Sequence, residues 1–489
     1  MRCIVVPMSS TSSSAISEDL SVISTSSREP MLAGFPWVSA IILYTLSWGW
    51  SLFRPNTLYW DDWDQFFRRD PFYYRGVLID TGRPLWEGVV EGILIQFGVW
   101  AICLATFLCF FSTSIFLFGI LKKVSIFKLK QSQVLVFLFL IVPVNHARIS
   151  LVVFDYSFAY FLFFLGWLIL VRYRSFNSFA LSLTLLFLSL KTHSLLFFVL
   201  LPFLHFMWLN KEELTRLKKF RFAHLQVFLI ALLPVVYLLL RKLFWPPTKD
   251  WTDYHHVTSA GLQVALLPMV IGLVPLILIA IRKAKNLSVN FGLTLLVVGF
   301  LLTALALFPY FAGELYVGYA GRPAYVTVFE FRADWRSRHQ LLMPLGLALS
   351  VVGLNELLKW KGKNIVVSTV LVISVALNMF WGSQYFLMSH KQEQLVELFK
   401  TTEGKVEIAS VEDQTKGFNG RGSTFRGYEW NGFMTLAGIS TDRPGCEALP
   451  FGSELILKSD TPYLKALVTR DLGLYFEVTP CSEVLAKDG

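Results

Sequence analysis

Charge is what this chain has least of. Of its 489 residues 16% are charged, against 54% hydrophobic and 16% aromatic, with a mean hydropathy of +0.55. A soluble domain carries roughly a quarter charged residues, so the composition excludes a soluble enzyme and a disordered scaffold, and 15 Trp, 17 Tyr and 44 Phe exclude a low-complexity fibre. Cysteine is nearly as scarce. Cys3, Cys103, Cys109, Cys446 and Cys481 form no CxxC and no Cys/His spacing of the zinc type, which argues against a structural metal and a thioredoxin-like motif. Cys103 and Cys109 lie in an apolar run and are expected as buried thiols, whereas Cys446 and Cys481 can pair only if their region faces an oxidising compartment. Neither GxGxxG nor GxxxxGK[ST] stands where a phosphate loop needs it, GxSxG is missing, and no repeat of 20–50 residues is visible. These absences argue against an ATP-driven pump and a Ser/His/Asp hydrolase.

What is present is a series of apolar runs. Residues 1–32 are rich in Ser and Thr, lack aromatic residues, and are expected as a flexible cytoplasmic tail. Residues 33–53 form an apolar run of a length that crosses about 30 Å of hydrocarbon as a helix. With no short apolar region and cleavage site ahead of it, this run reads as a retained first span. Further runs near 92–121, 132–145, 150–171, 178–190, 194–209, 224–243, 261–281, 290–310, 338–358 and 364–385 bring the expectation to eleven. Three of them, 132–145, 178–190 and 194–209, are short for a perpendicular crossing and call for tilt or pairing.

Alternate connections are rich in Lys and Arg (122–130, 171–174, 211–222, 281–286, 359–364), as cytoplasmic loops are. That puts the N-terminus inside and, with an odd number of spans, the C-terminus outside. From Ser389 onward 11 basic and 15 acidic residues, with turn signals at GFNGRG and DRPGCEALPFG, mark a soluble domain over 389–489 of α/β type. The expected fold is therefore an all-α polytopic membrane bundle over 33–388, with a first outer loop at 54–91 and a small extracytoplasmic domain behind it. The net charge of +10 then reflects orientation in a membrane, and nucleic acid is not an expected partner.

Three polar constellations stand out on the outer side. The first loop carries Asp61, Asp62 and Asp64 between Trp60 and Trp63, close behind the first span. Carboxylates at the interface can take a proton from a hydroxyl, pair with a cation, or hold a divalent metal through the D-x-D pair Asp62 and Asp64; the plain reading is a solvated turn with Asp capping a short helix. The second constellation comprises His146, Arg148 and Asp155, with Lys191 and His193 interrupting about 30 apolar residues. Lys191 and His193 suit an anionic head group or a simple outer turn, and Asp155 is expected to pair with a basic neighbour such as Arg148. In the third, Arg332, Asp334, Arg336, Arg338 and His339 crowd the entry of the tenth span, where arginine forks fit phosphate oxygens of a ligand or of lipids. Tyr254, His255 and His256, in a later outer loop, are weaker candidates for lining an acceptor groove.

The arrangement resembles the GT-C superfamily of membrane glycosyltransferases: an acidic YWDDWD loop behind the first span, many spans, the basic WRSRHQLLMPLG element, and a C-terminal outer domain. Within it, the chain is similar to bacterial O-antigen glucosyltransferases, in which a DDW-like stretch is followed by a GRPL-like one, here Gly82, Arg83, Pro84 and Leu85. The resemblance implies a polyprenyl-phosphate-sugar donor, a glycan or lipid-linked acceptor, contact with membrane lipids, and inversion by single displacement. It implies Asp61 or Asp62 as the catalytic base, and Arg83, Lys191, His193, Arg336, Arg338 and His339 at the donor phosphate. A second acidic motif in a later outer loop is absent. That departure leaves metal dependence open, with no cofactor assigned and a divalent cation at Asp62 and Asp64 as the variant reading. The competing classes are a transporter or flippase using Asp155, Lys191 and His193 as a path, and a polysaccharide polymerase or ligase.

Overall fold

The computed structural model describes residues 32–60, 62–63, 78–79, 88–124, 126–191, 195–215, 222–246, 291–306, 340–358, 363–402, 410–413, 415, 427–438 and 453–480. Apolar runs become helices: α1 (Trp37–Trp48), α2 (Val99–Val124), α3 (Leu129–Ile141), α4 (Phe154–Arg172), α5 (Phe176–Ser189), α6 (Leu200–Leu209), α7 (Phe222–Phe244), α8 (Phe291–Ala306), α9 (Met343–Leu357) and α10 (Lys363–Thr402). Among the described residues four segments, Val99–Val124, Leu151–Arg172, Phe222–Phe244 and Asn364–Thr401, are long and apolar enough to cross a membrane, and six others are apolar but shorter. The expected run at 261–281 lies outside the described residues. Side chains such as Ile42 on α1, Phe228, Leu239 and Leu243 on α7, and Val372 on α10 are exposed, as lipid-facing positions of a membrane bundle would be.

Helix ends follow local chemistry. Two lysines, Lys122 and Lys123, close α2, where carbonyls present partial negative charge. The Ser175 hydroxyl accepts from the Ser178 amide at 3.2 Å and starts α5. Between α3 and α4 the chain turns at Asn145, which takes the left-handed conformation, then makes short 3₁₀ turns at His146–Ile149 and Leu151–Val153.

Hydrogen bonds from buried side chains tie the bundle together. Tyr44 on α1 donates to the Phe107 carbonyl on α2 at 3.1 Å, Ser182 on α5 to the Gly166 carbonyl on α4 at 2.8 Å, and Asn378 on α10 to the Ile141 carbonyl on α3 at 2.7 Å. Helices α8 and α9 meet backbone to backbone: a Cβ at Gly299 would land on Ser350, and one at Gly353 on Leu296. Gly49, in the 3₁₀ turn Gly49–Phe53 that follows α1, has φ of +57° and faces Gly382 of α10 so closely that a side chain there would press on that backbone.

Helix α10 runs through 40 residues, about 60 Å at 1.5 Å per residue. The boundary expected at 388/389 falls inside it. Against its second half packs a sheet of β1 (Ser410–Asp413), β2 (Ser453–Ser459) and β3 (Leu474–Pro480), with α11 (Gly427–Leu436) and α12 (Tyr463–Thr469). β1 and β2 are parallel, with α11 lying between them in the chain, and β2 and β3 are antiparallel. Phe399 of α10 meets Phe476 of β3 with ring centres 5.4 Å apart, and Leu387 shares a buried cluster with Ala466 and Leu472.

Candidate functional site

Among the described residues, several polar side chains gather where the connection after α1 lies on the middle turns of α10. Phe386, His390, Glu393 and Glu397 recur at steps of four, three and four, so they share one helix face. Arg54 leaves the 3₁₀ turn and reaches that face. Its Nη1 donates to Glu393 Oε1 at 2.5 Å, its Nη2 approaches the His390 ring nitrogens at 3.1 Å, and its guanidinium carbon lies 6.0 Å from the Phe386 ring centre. The connection is held further by Gln392, which donates to the Leu58 carbonyl at 2.7 Å, and by Tyr59, whose hydroxyl donates to the Tyr385 carbonyl at 3.3 Å. Trp63 continues onto Phe433 of α11, ring centres 4.5 Å apart.

Two hollows of opposite character meet at Arg54. A cleft of about 700 Å³ is lined by Asn56, Thr57, Ser389, Gln392, Glu393 and Glu397 among others. Beside it, a pocket of about 300 Å³ is walled mostly by apolar groups, including Trp48 and Leu52 of the first helical segment and Trp100, Leu104 and Phe107 of α2. Arg54, Pro55 and Thr57 line both. A ligand that filled the pair would be amphiphilic, with its polar part against carboxylates and amides, its apolar part between two helices, and a guanidinium at the junction.

Asp62 is fully buried. Its Oδ1 accepts from the Ser150 hydroxyl at 2.5 Å and the Val152 amide at 3.2 Å, and its Oδ2 from the Tyr59 amide at 3.0 Å. The Ser150 hydroxyl and the Val152 amide belong to the turn that opens α4, so the carboxylate caps a helix start from 88 residues away in sequence, while the Tyr59 amide belongs to its own connection. Burial is the largest influence on its proton affinity and pushes the carboxyl up to about 7, while the hydrogen bonds from Ser150 and from the backbone of Tyr59, Leu151 and Val152 pull against it. Asp62 lines neither hollow. Nearby, His146 stacks on Trp381 with ring centres 4.7 Å apart, and burial, aided by Arg148, lowers it to about 3, so it is neutral.

Lys191 is buried and donates to Asp155 Oδ1 at 3.0 Å, with its ammonium 5.6 Å from the Phe158 ring centre. This corrects the expected partner of Asp155. Arg148 turns instead to Ser47, because the 3₁₀ turns before α4 carry it toward α1. The pairing also gives Lys191 a resident counter-ion. Cys103 and Cys109 are only partly covered in their helix. Asp61, Asp64, Arg83, His193, Arg332, Asp334, Arg336, Arg338 and His339 lie outside the described residues, as do Tyr254, His255 and His256, and Cys446 and Cys481. Among the described residues no group of three His, Cys, Asp or Glu stands ready to hold a metal ion.

Sequence reasoning passed over Arg54, His390, Gln392 and Glu393. Arg54 stands directly after the first apolar run, and the other three fall in the segment 389–489 expected as a soluble domain. The available signal was the four-three-four spacing of Phe386, His390, Glu393 and Glu397, which marks a continuing helix with a polar face. No family model matches the chain, and neither a curated protein nor a solved structure matches it.

Proposed function

We propose that this membrane protein is a glycosyltransferase that moves a sugar from a polyprenyl-phosphate donor to a cell-surface glycan or lipid-linked acceptor on the outer face of the membrane. The observation that carries the reading is the junction at Arg54, where an apolar pocket between α1 and α2 adjoins a polar cleft. A polyprenyl phosphate sugar has the same order of parts: an apolar chain, an anion, then a polyol. In this reading Arg54 faces the phosphate, whose charge grows as the glycosidic bond breaks, and the arginines at 336 and 338 join it. Gln392, Glu393 and Glu397 offer acceptors and a donor to sugar hydroxyls.

Of the two candidate bases, Asp61 is the one we assign to take the proton of the attacking hydroxyl. Asp62 has its oxygens occupied by Ser150, Val152 and Tyr59, and serves as a positioning residue that holds the connection on the start of α4. The single-displacement course, the eleven-span GT-C-like architecture, the cytoplasmic N-terminus and the exported C-terminal region belong to the same proposal.

The test compares the surface glycan of cells with and without the gene, then transfer from a polyprenyl-phosphate sugar by membranes carrying the wild type, Asp61→Asn or Arg54→Ala. A missing sugar branch and loss of transfer in both variants are expected. An unchanged glycan, with full activity in both variants, overturns the reading.

A further inference from the structure

Arg148 is buried in the turn His146–Ile149 at 7% exposure, and its charge is poorly matched. Its Nη2 donates to the Ser47 carbonyl at 2.7 Å and to the Ser47 hydroxyl at 3.1 Å, and its guanidinium carbon lies 5.0 Å from the Trp48 ring centre and 5.9 Å from that of Tyr44. Among the described residues no carboxylate pairs with it, and its Nε and Nη1 donate to none. A buried cation held only by a carbonyl, a hydroxyl and aromatic faces carries a desolvation cost that those contacts offset in part.

Arg148 lines a small hollow of about 20 Å³ together with Asn145, Tyr160, Pro344 and a wall of Phe110, Phe139 and Leu140. Tyr160 is 1% exposed and its hydroxyl makes no hydrogen bond to a described residue; the Asn145 side-chain oxygen is buried without a partner and, being an acceptor, takes no part in holding an anion. Arg148 and Tyr160, each with donors not fully partnered among the described residues, thus line one space. Its volume suits a single monatomic ion or one water, and is too small for a phosphate or sulfate. None of its lining residues lines the cleft or the apolar pocket.

We propose that this hollow binds a monatomic halide, chloride under ordinary conditions, as a resident counter-ion of Arg148. The donors are of the kind that hold an anion: guanidinium N–H groups and a phenol hydroxyl. A water in the same place would hydrogen-bond these groups and leave the charge unbalanced, whereas a halide does both. The ion would fix Arg148, and through it the contact between Trp48 of α1 and the turn before α4.

The experiment is thermal melting of the full chain in detergent at constant ionic strength, with sodium gluconate exchanged stepwise for chloride, bromide or sulfate. Chloride and bromide are expected to raise the melting temperature by several degrees with saturation in the millimolar range, while sulfate does not. Arg148→Gln abolishes the halide response, and Tyr160→Phe moves half-saturation to higher chloride. Equal melting in chloride and gluconate overturns the site, as does a sulfate effect as large as that of chloride. If Arg148→Gln fails to fold, the anion series on the wild type decides alone; if it folds and keeps the response, the assignment to Arg148 is wrong.

Discussion

Helices α8 and α9 touch through glycine, and helix α10 touches the first connection through arginine, carboxylates and aromatic rings. In the first contact Gly292 and Gly299 face Gly346 and Gly353, each pair seven residues apart, so the backbones close with no room for a Cβ. The neighbouring hydroxyls donate within their own helices, Thr303 to the Gly299 carbonyl at 2.9 Å and Ser350 to the Gly346 carbonyl at 3.0 Å. The second contact begins in the same way, at Gly49 against Gly382, and then opens as Tyr385, Phe386, His390, Gln392 and Glu393 lengthen the side chains along α10. Small residues close a helix pair and long polar ones hold it apart, and the cleft lies where one regime gives way to the other.

The largest effect is expected where the closure is tightest. Gly299→Leu drives a side chain into Ser350 and destabilises the protein by about 3 kcal/mol, at the upper end of ordinary overpacking. Gly92→Ala, where a Cβ meets nothing within 4 Å, is neutral or slightly stabilising. Unfolding of both variants in mixed micelles checks the contrast, and equal destabilisation would remove glycine packing as its cause. Next comes Arg54→Ala, which under the proposed function lowers transfer about 100-fold, the scale of one lost charge-stabilising donor. Melting should change little because Arg54 is partly solvated, and a protein that fails to fold would instead make Arg54 part of the scaffold.

How much of this was legible beforehand follows from the range of each interaction. Apolar runs show their helices because length and hydropathy are local, and the shorter ones emerged close to where they were expected. The far half of α10 did not, since polarity at His390, Lys391 and Glu393 reads as departure from the membrane while the same residues continue a helix. Asp62 could be singled out as an acid beside the membrane, but its partners Ser150 and Val152 are supplied by a distant turn. Arg54 and Glu393 are 339 residues apart, and nothing short of the fold joins them. Asp155 was recognisable as half of a pair, and which cation completes it depended on how the turns before α4 point.

Asp62→Asn tests what the buried carboxylate contributes. Its carboxyl rises from an ordinary 3.8 to about 7 in the folded chain, so folding binds a proton between those values. The stabilisation is complete below about pH 4 and is lost as pH rises through about 7. The wild type should therefore lose melting temperature relative to Asp62→Asn between pH 5 and 8. A wild type that instead gains melting temperature relative to Asp62→Asn as pH rises would mean that the hydrogen bonds from Ser150 and the amides outweigh burial and keep the carboxylate ionised. As a positioning residue, Asp62 should also alter the affinity for acceptor more than the maximal rate.

The smallest change is expected at Glu393, and it separates the polar cleft from the connection that covers it. Glu393 is 56% exposed, so water screens its pairing with Arg54, and such partly exposed pairs contribute about 0–1 kcal/mol. Arg54 keeps the His390 ring and the Phe386 face when the carboxylate is gone. Glu393→Gln should therefore leave melting nearly unchanged and reduce transfer less than about tenfold, well short of the 100- to 10,000-fold typical of a lost general base. A collapse of transfer on that scale, with the fold intact, would move the proton-accepting role from Asp61 to α10. The cleft wall, and not the acidic connection, would then carry the chemistry, and Arg54 would be the group that orients its carboxylate.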